Sequence, residues 1–216
     1  MITFLVAATP DVDRFYSIFQ SLGERFVMVR CDRAGGPEAA LAAMRQNRIE
    51  ARRELKSAVH SLLGVLPRIE PVLLRAIEGK LAALAEFVVR ARTHVQRDGY
   101  NKREIGYLPE PESPTRLAQQ LCQLSKGSAV LDHRFFVLDK DYRLVCRVGM
   151  DCIPAIRLKI LDYLGTRDES EVNKLPGSSR TYAEEELRLV RLISGSGTRA
   201  ELSQEALDLL AAAGLS

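Results

Sequence analysis

A run of apolar residues with almost no polar interruption opens the chain. Residues 2–8 (ITFLVAA) form this run, which ends at Thr9-Pro10. Such a run is typical of a strand covered on both faces, as in the parallel sheets of α/β domains. A predicted helix over 11–22 and a second apolar run over 26–31 follow. Two strands and one helix do not complete an α/β layer, so we expect this part to be the tail of a larger layer.

Beyond residue 36 the sequence changes to the apolar periodicity of helices. Two long helices, at about 37–63 and 71–96, are predicted to form an antiparallel hairpin. Shorter helices are predicted at about 114–131, 139–152, 154–164, 169–175, 180–193 and 204–213. The predicted fold class is mostly α with a small α/β N-terminal part. Its predicted units are 1–36, 37–105, 106–152 and 153–216.

The charge, the cysteines and the apolar stretches of the sequence limit the classes of function to consider. The net charge of +3 is too small to indicate nucleic acid by itself. The four cysteines form no C-x-x-C pair and lie near no histidine in ligand spacing, which predicts reduced thiols rather than disulfides or a metal site. No apolar stretch approaches the roughly 18 to 20 residues of a membrane span, and no signal peptide is recognisable at the start. The expected location is the cytoplasm, without a membrane partner.

Three short motifs occur in an informative order: VAATP after the first apolar run, LGERF before the second, and SPTRL at the start of a predicted helix. In this order they resemble the second half of an AAA+ ATPase module, in the branch with minichromosome-maintenance helicases, MoxR-type ATPases and magnesium chelatases. The resemblance implies that Thr9 senses the γ-phosphate, Arg25 is an arginine finger and Arg116 is the second sensor in a helical lid. The alternatives stay open that Thr9 simply ends a strand and that Arg116 is a surface residue.

The chain lacks two parts of that family's pattern, the phosphate-binding loop and the apolar strand ending in acidic residues that holds magnesium. The sequence has no G-x-x-x-x-G-K-[ST] segment, which would cradle the nucleotide phosphates. We therefore expect ATP to be shared, bound mainly by another chain or by a preceding half, with Mg²⁺ also bound there. The isolated chain is expected to show little or no ATP turnover, so whether it is an enzyme stays open. A P-loop partner and a homo- or hetero-oligomer are expected.

The last quarter of the chain contains PGSSRTYAEEELRLVRLI, which resembles the turn and recognition helix of a winged helix-turn-helix. In that geometry the first residues of the second helix contact base edges of DNA. The expected contacts are Ser178, Ser179, Arg180, Thr181 and Tyr182. The consecutive glutamates 184–186 would repel phosphates, so a packing unit without DNA contact stays open as the alternative.

A basic segment with an aromatic residue, RDGYNKR at 97–103, is the second predicted nucleic-acid contact. Stacking on an aromatic ring beside cations suits single-stranded DNA. The residues expected there are Arg97, Tyr100, Lys102 and Arg103. The sequence thus favours the C-terminal part of an AAA+ ATPase, with core tail, hairpin, lid and winged-helix unit. The alternative is a free-standing DNA-binding regulator without nucleotide chemistry.

Overall fold

The computed structural model describes residues 26–31, 35–45, 47–98, 104–107 and 110–215. Within these ranges the chain is mostly helical, which confirms the broad fold class, and its two short sheets are antiparallel pairs. The helices are α1 Pro37–Arg45, α2 Arg48–Val65, α3 Arg75–Arg92, α4 Thr115–Leu131, α5 Asp139–Asp151, α6 Ala155–Thr166, α7 Gly177–Leu189 and α8 Gln204–Ala213. The strands are β1 Gln96–Arg97, β2 Ile105–Tyr107, β3 Ile193–Ser194 and β4 Glu201–Leu202.

Of the part of the chain predicted to be α/β, the structure describes only residues from 26 onward. The predicted strand over 2–8 and helix over 11–22 lie outside the described residues. Residues 26–31, predicted as a strand, have no regular secondary structure and no ladder partner among the described residues. They lie against the end of α5: the Arg30 backbone N–H donates to Asp151 Oδ2 (2.9 Å), and Arg30 Nη2 donates to the Ile153 carbonyl (3.1 Å).

The first long predicted helix is two helices in the structure. Helix α1 ends at Arg45, and α2 begins at Arg48 after the N-cap Asn47. The Asn47 side-chain oxygen accepts hydrogen bonds from the backbone N–H groups of Ile49 (3.2 Å) and Glu50 (3.4 Å), which starts a new helix. No described side chain of α1 or α2 is buried. The described residues of α1 and α2 therefore supply no buried face for the predicted antiparallel hairpin with α3, which stays a prediction.

Helix α3 is the centre of the core. It is apolar on most of its sides, and a helix of that kind needs several partners. Its extensive contacts are with α4, α5 and α8. Gly149 of α5 allows a close approach, because a Cβ atom there would lie 3.3 Å from Leu84 Cδ2 of α3. The buried residues of α3 are Ile77, Leu81, Leu84, Ala85, Phe87, Val88, Val89, Ala91 and Arg92.

A buried carboxylate fixes the start of α5. Asp141 is fully buried and accepts hydrogen bonds from both Nη atoms of Arg134 (2.8 and 2.6 Å), from Ser128 Oγ (2.7 Å) and from the Leu138 backbone N–H (2.8 Å). The last of these bonds satisfies an N–H group at the open end of the helix. Asp141 thereby joins the end of α4, the connection to α5 and the first turn of α5.

The last quarter of the chain differs from the prediction in detail. The predicted short helix over 169–175 is a 3₁₀ turn at Val172–Lys174. The predicted helix over 180–193 is α7, which begins three residues earlier, at Gly177, and ends at Leu189. The chain then forms the antiparallel pair β3 and β4, and finally α8, whose predicted bounds are confirmed. Helix α8 turns back onto α3, and the Tyr142 hydroxyl of α5 donates to the Ala213 carbonyl at its end (2.5 Å).

Candidate nucleic-acid interface

Arg116 lies where the sequence predicts it, in the first turn of α4. The helix begins at Thr115, directly after Pro114, and Ser113 Oγ lies 2.8 Å from Thr115 Oγ1. The Arg116 side chain is exposed and makes no hydrogen bond or ion pair within the part of the chain that the structure describes. An exposed guanidinium without an acidic partner is available for a phosphate. The other two residues predicted to contact the nucleotide, Thr9 and Arg25, lie outside the described residues.

The predicted DNA-contacting residues open α7, so Ser178 and Ser179 belong to its first turn rather than to a preceding loop. Ser178 and Thr181 are exposed, and Ser179 is half-buried. The Thr181 hydroxyl donates to the Gly177 carbonyl at 3.0 Å, within the helix. These short polar side chains therefore form the accessible part of the helix start.

Arg180 and Tyr182 already have partners inside the molecule. Arg180 Nε donates to Glu184 Oε1 at 2.8 Å, and the guanidinium lies 5.2 Å from the centre of the Tyr163 ring. The Tyr182 ring is covered by the Arg97 guanidinium at 4.3 Å. Both residues are half-buried. Of the five predicted contacts, these two are thus the less accessible.

Arg97, predicted to contact nucleic acid from a basic loop, is bound by α7. Its side chain is 13% exposed. Nε donates to Glu186 Oε1 (3.0 Å), and Nη2 donates to Glu185 Oε2 (2.9 Å) and to the Tyr182 carbonyl (3.1 Å). The guanidinium is thus shared by two carboxylates, which differs from the predicted role as a free cation. Tyr100, Lys102 and Arg103, predicted beside it, lie outside the described residues.

A second arginine, which the sequence did not single out, completes this network. Arg157 of α6 is buried and donates from Nη2 to Glu186 Oε2 at 2.9 Å. Its Nη1 donates to the carbonyls of Ala91 (2.8 Å) and Thr93 (2.6 Å), at the end of α3. His94 is half-buried beside it, and burial followed by the charge of Arg157 lowers the pKa of the imidazole. Near pH 7 the histidine is therefore neutral.

The glutamates 184–186, which count against DNA binding in the sequence, are each paired with an arginine. Glu184 pairs with Arg180, Glu185 with Arg97, and Glu186 with both Arg97 and Arg157. A carboxylate that is hydrogen-bonded to a guanidinium projects little net charge to its surroundings. The main sequence argument against a DNA-binding surface at α7 is thereby weakened.

The β3–β4 pair adds a basic surface that sequence analysis missed. Arg188, at the end of α7, donates from Nε to the Gly195 carbonyl at 2.7 Å, in the turn between the strands. Arg191, just before β3, and Arg199, in the connection between β3 and β4, are exposed and form no ion pair among the described residues. The available signal was the segment GSGTR, in which the glycines allow a tight turn beside an arginine.

Comparisons with models of known protein families, with curated proteins and with solved structures find no match for this chain. Across the described ranges, no helix combines the length and apolar character needed to cross a membrane. The same ranges contain no cluster of three or more histidine, cysteine, aspartate or glutamate side chains arranged to bind a metal ion.

Proposed function

We propose that this chain is the C-terminal portion of an AAA+ ATPase that acts on DNA, and that residues 155–213 form its DNA-binding unit. One observation carries the DNA part of the proposal: an accessible helix start lies in the same unit as a short basic β-hairpin. Ser178 and Thr181 are exposed on α7, and Arg191 and Arg199 are exposed around β3 and β4. Short polar side chains suit base edges, and unpaired arginines suit phosphates.

The nucleotide part of the proposal is supported by Arg116. This exposed guanidinium at the start of α4 has no acidic partner in the described structure. In the proposed assembly it contacts ATP that is bound mainly by a P-loop chain or a preceding half, where Mg²⁺ is also bound. Arg25 supplies the finger and Thr9 the γ-phosphate sensor. An arginine that acts on a neighbour's nucleotide requires an oligomer, which is part of this proposal.

A salt titration of DNA binding tests the proposal. The full chain is titrated with a fluorescently labelled random-sequence duplex at several salt concentrations. Neutralising the hairpin arginines, with Arg191→Gln and Arg199→Gln together, removes two phosphate contacts. We expect the slope of log K against log salt to become about two units shallower, with weaker binding at every salt concentration.

The matched control is Arg143→Gln with Arg147→Gln, which removes the same charge from an exposed part of α5. This control should leave the slope unchanged, because α5 makes no extensive contact with α7 or the hairpin. Binding by the wild-type chain that does not depend on salt, or no binding at low salt, would remove DNA from the proposal. An equal effect of both double variants would mean that the hairpin is not the contact surface.

The second candidate is a DNA-binding regulator without nucleotide chemistry. The direct packing of α8 on α3 favours it, because the helical bundle then acts as the scaffold of the DNA-binding unit. A P-loop coding region immediately upstream, in frame or in a neighbouring gene, supports the ATPase. A reading frame without one favours the regulator. Robust ATP turnover by the isolated chain that is abolished by Arg25→Ala would contradict both candidates.

A further inference from the structure

Three side chains on one side of α7 meet a single arginine. Tyr182, Glu185 and Glu186 are spaced so that they share a helix face, and Arg97 contacts all three. Ser178 lies four residues before Tyr182, so it is the next residue along that face. Arg97 therefore covers the part of the helix directly beyond its accessible start.

Burying the charged network of Arg97, Arg157, Glu185 and Glu186 costs more desolvation free energy than burying apolar side chains would. Arg157 is 5% exposed and Glu186 is 19% exposed, so both charges are largely removed from water. Such pairs contribute little net stability, because desolvation offsets the attraction, but their directional hydrogen bonds favour one orientation of the joined elements. Here the joined elements are β1, the end of α3, α6 and α7.

The charges of the network cancel. Arg97 and Arg157 carry two positive charges, and Glu185 and Glu186 carry two negative charges. Three donor hydrogens of Arg97 point at protein acceptors. This group therefore has little net charge with which to attract a phosphate. A direct contact between Arg97 and DNA is the less favoured role.

We propose that Arg97 is a positioning residue for the DNA-facing start of α7. By binding Tyr182, Glu185 and Glu186 it fixes the rotation of the helix, so that Ser178 and Thr181 face the base edges of double-stranded DNA. This inference rests on the proposed DNA-binding function. It predicts that Arg97 affects discrimination between sequences without affecting the number of phosphates contacted.

The test uses the full chain and two probes: a duplex that the wild-type chain enriches from a randomised pool, and poly(dI-dC) as a non-specific competitor. Arg97→Gln should lower the ratio of the two affinities about tenfold. Arg97→Lys keeps the positive charge, so it should leave the salt slope unchanged. It should still lose a similar part of the ratio, because an ammonium group lacks the planar fork that binds two carboxylates and stacks on a ring. Arg147→Gln on α5 is the control and should behave as wild type.

Thermal melting monitors folding of each variant. If Arg97→Gln does not fold, Glu185→Gln is used instead. It weakens the contact between Arg97 and α7 at the more exposed of the two carboxylates, and it should also lower the ratio of the two affinities. A salt slope that falls by about one unit, with the ratio unchanged, would make Arg97 a phosphate contact and overturn the inference. Wild-type behaviour of Arg97→Lys would overturn it as well. If the wild-type chain enriches no duplex and binds neither probe, the proposed function itself fails.

Discussion

At the scale of single residues, the buried carboxylate of Asp141 has the most demanding environment. Burial raises its pKa, but the hydrogen bonds from Arg134, Leu138 and Ser128 outweigh that effect and lower the pKa to about 2. A carboxyl group held ionised in this way stabilises the fold only while it stays charged. The start of α5 therefore depends on one negative charge.

We expect Asp141→Asn to lower the free energy of unfolding by about 2 to 4 kcal/mol, because it leaves Arg134 without its buried partner. Chemical denaturation at pH 7 measures this change. Asp139→Asn is the matched control in the same turn. The Asp139 side chain is 78% exposed and lies 3.6 Å from Lys80, so its loss should cost less than about 1 kcal/mol. Equal losses in both variants would contradict the assigned role.

The same residue also predicts a pH dependence. The pKa of Asp141 in the folded state is below its ordinary value, so the stabilisation is complete above about pH 4 to 5 and is lost as the pH falls through about 2. Denaturation at a series of pH values should show this acid loss in the wild-type chain. The Asp141→Asn variant should show a smaller change over the same interval.

At the scale of elements, the β3–β4 turn depends on the backbone of Gly195. This residue has φ = +69°, and a Cβ atom there would lie 2.2 Å from the Arg199 carbonyl oxygen. Only glycine fits without moving the chain. The conformation of this turn also positions Arg188, because the Arg188 side chain donates to the Gly195 carbonyl.

We expect Gly195→Ala to lower the free energy of unfolding by about 1 to 3 kcal/mol and to weaken DNA binding, because the hairpin has to open. Gly197→Ala is the control: its φ is +57°, but no atom lies within 4 Å of the position of its Cβ. It should show only the smaller cost of the left-handed backbone, about 1 kcal/mol. Melting temperature and the salt titration measure both effects. A larger loss in the control would contradict the steric explanation.

The elements also show which features the sequence predicts. Long amphipathic segments with clear ends, such as α4 and α8, were predicted within about one residue, because their periodicity and end signals agree. The strands β3 and β4 have two residues each, too few to show an alternating pattern. The division between α1 and α2 depends on the cap at Asn47. The charged and apolar pattern continues on both sides of Asn47, so the pattern predicts one helix there.

The candidate site was only partly predictable for a related reason. Ser178 and Thr181 are accessible as expected, because the start of a helix can be located from local sequence. The environment of Arg97 depends on Glu185 and Glu186, which lie 88 and 89 positions away along the chain. Pairing over such a separation is decided by the fold, so local composition predicted a free basic residue.

At the scale of the whole molecule, the end of the chain is part of the central core. Helix α8 packs on α3, and Ala206 and Ala213 are fully buried. The Tyr142 hydroxyl donates to the Ala213 carbonyl, and burial raises the pKa of the phenol, so the group stays protonated as a donor. The unit that we propose to bind DNA is thereby fixed to the helical bundle.

We expect Tyr142→Phe to lower the free energy of unfolding by about 1 to 2 kcal/mol, because the variant loses a hydrogen bond between α5 and α8. For a chain of this size, this corresponds to a fall in Tm of several degrees. Tyr107→Phe is the control, since Tyr107 is 61% exposed on β2 and its hydroxyl can bond to water. A Tm of Tyr142→Phe equal to that of the control would show that the contact with Ala213 contributes nothing.

The two oxygens of Glu186 bind different arginines, one from β1 and one from α6. A neutral side chain at this position would leave Arg157 without a carboxylate partner and Arg97 with Glu185 alone, and a change of either cation would leave the carboxylate with half of its partners. These three sites are therefore expected to be replaced together during evolution, as one inherited unit. Natural variants of the protein should show correlated substitutions at positions 97, 157 and 186.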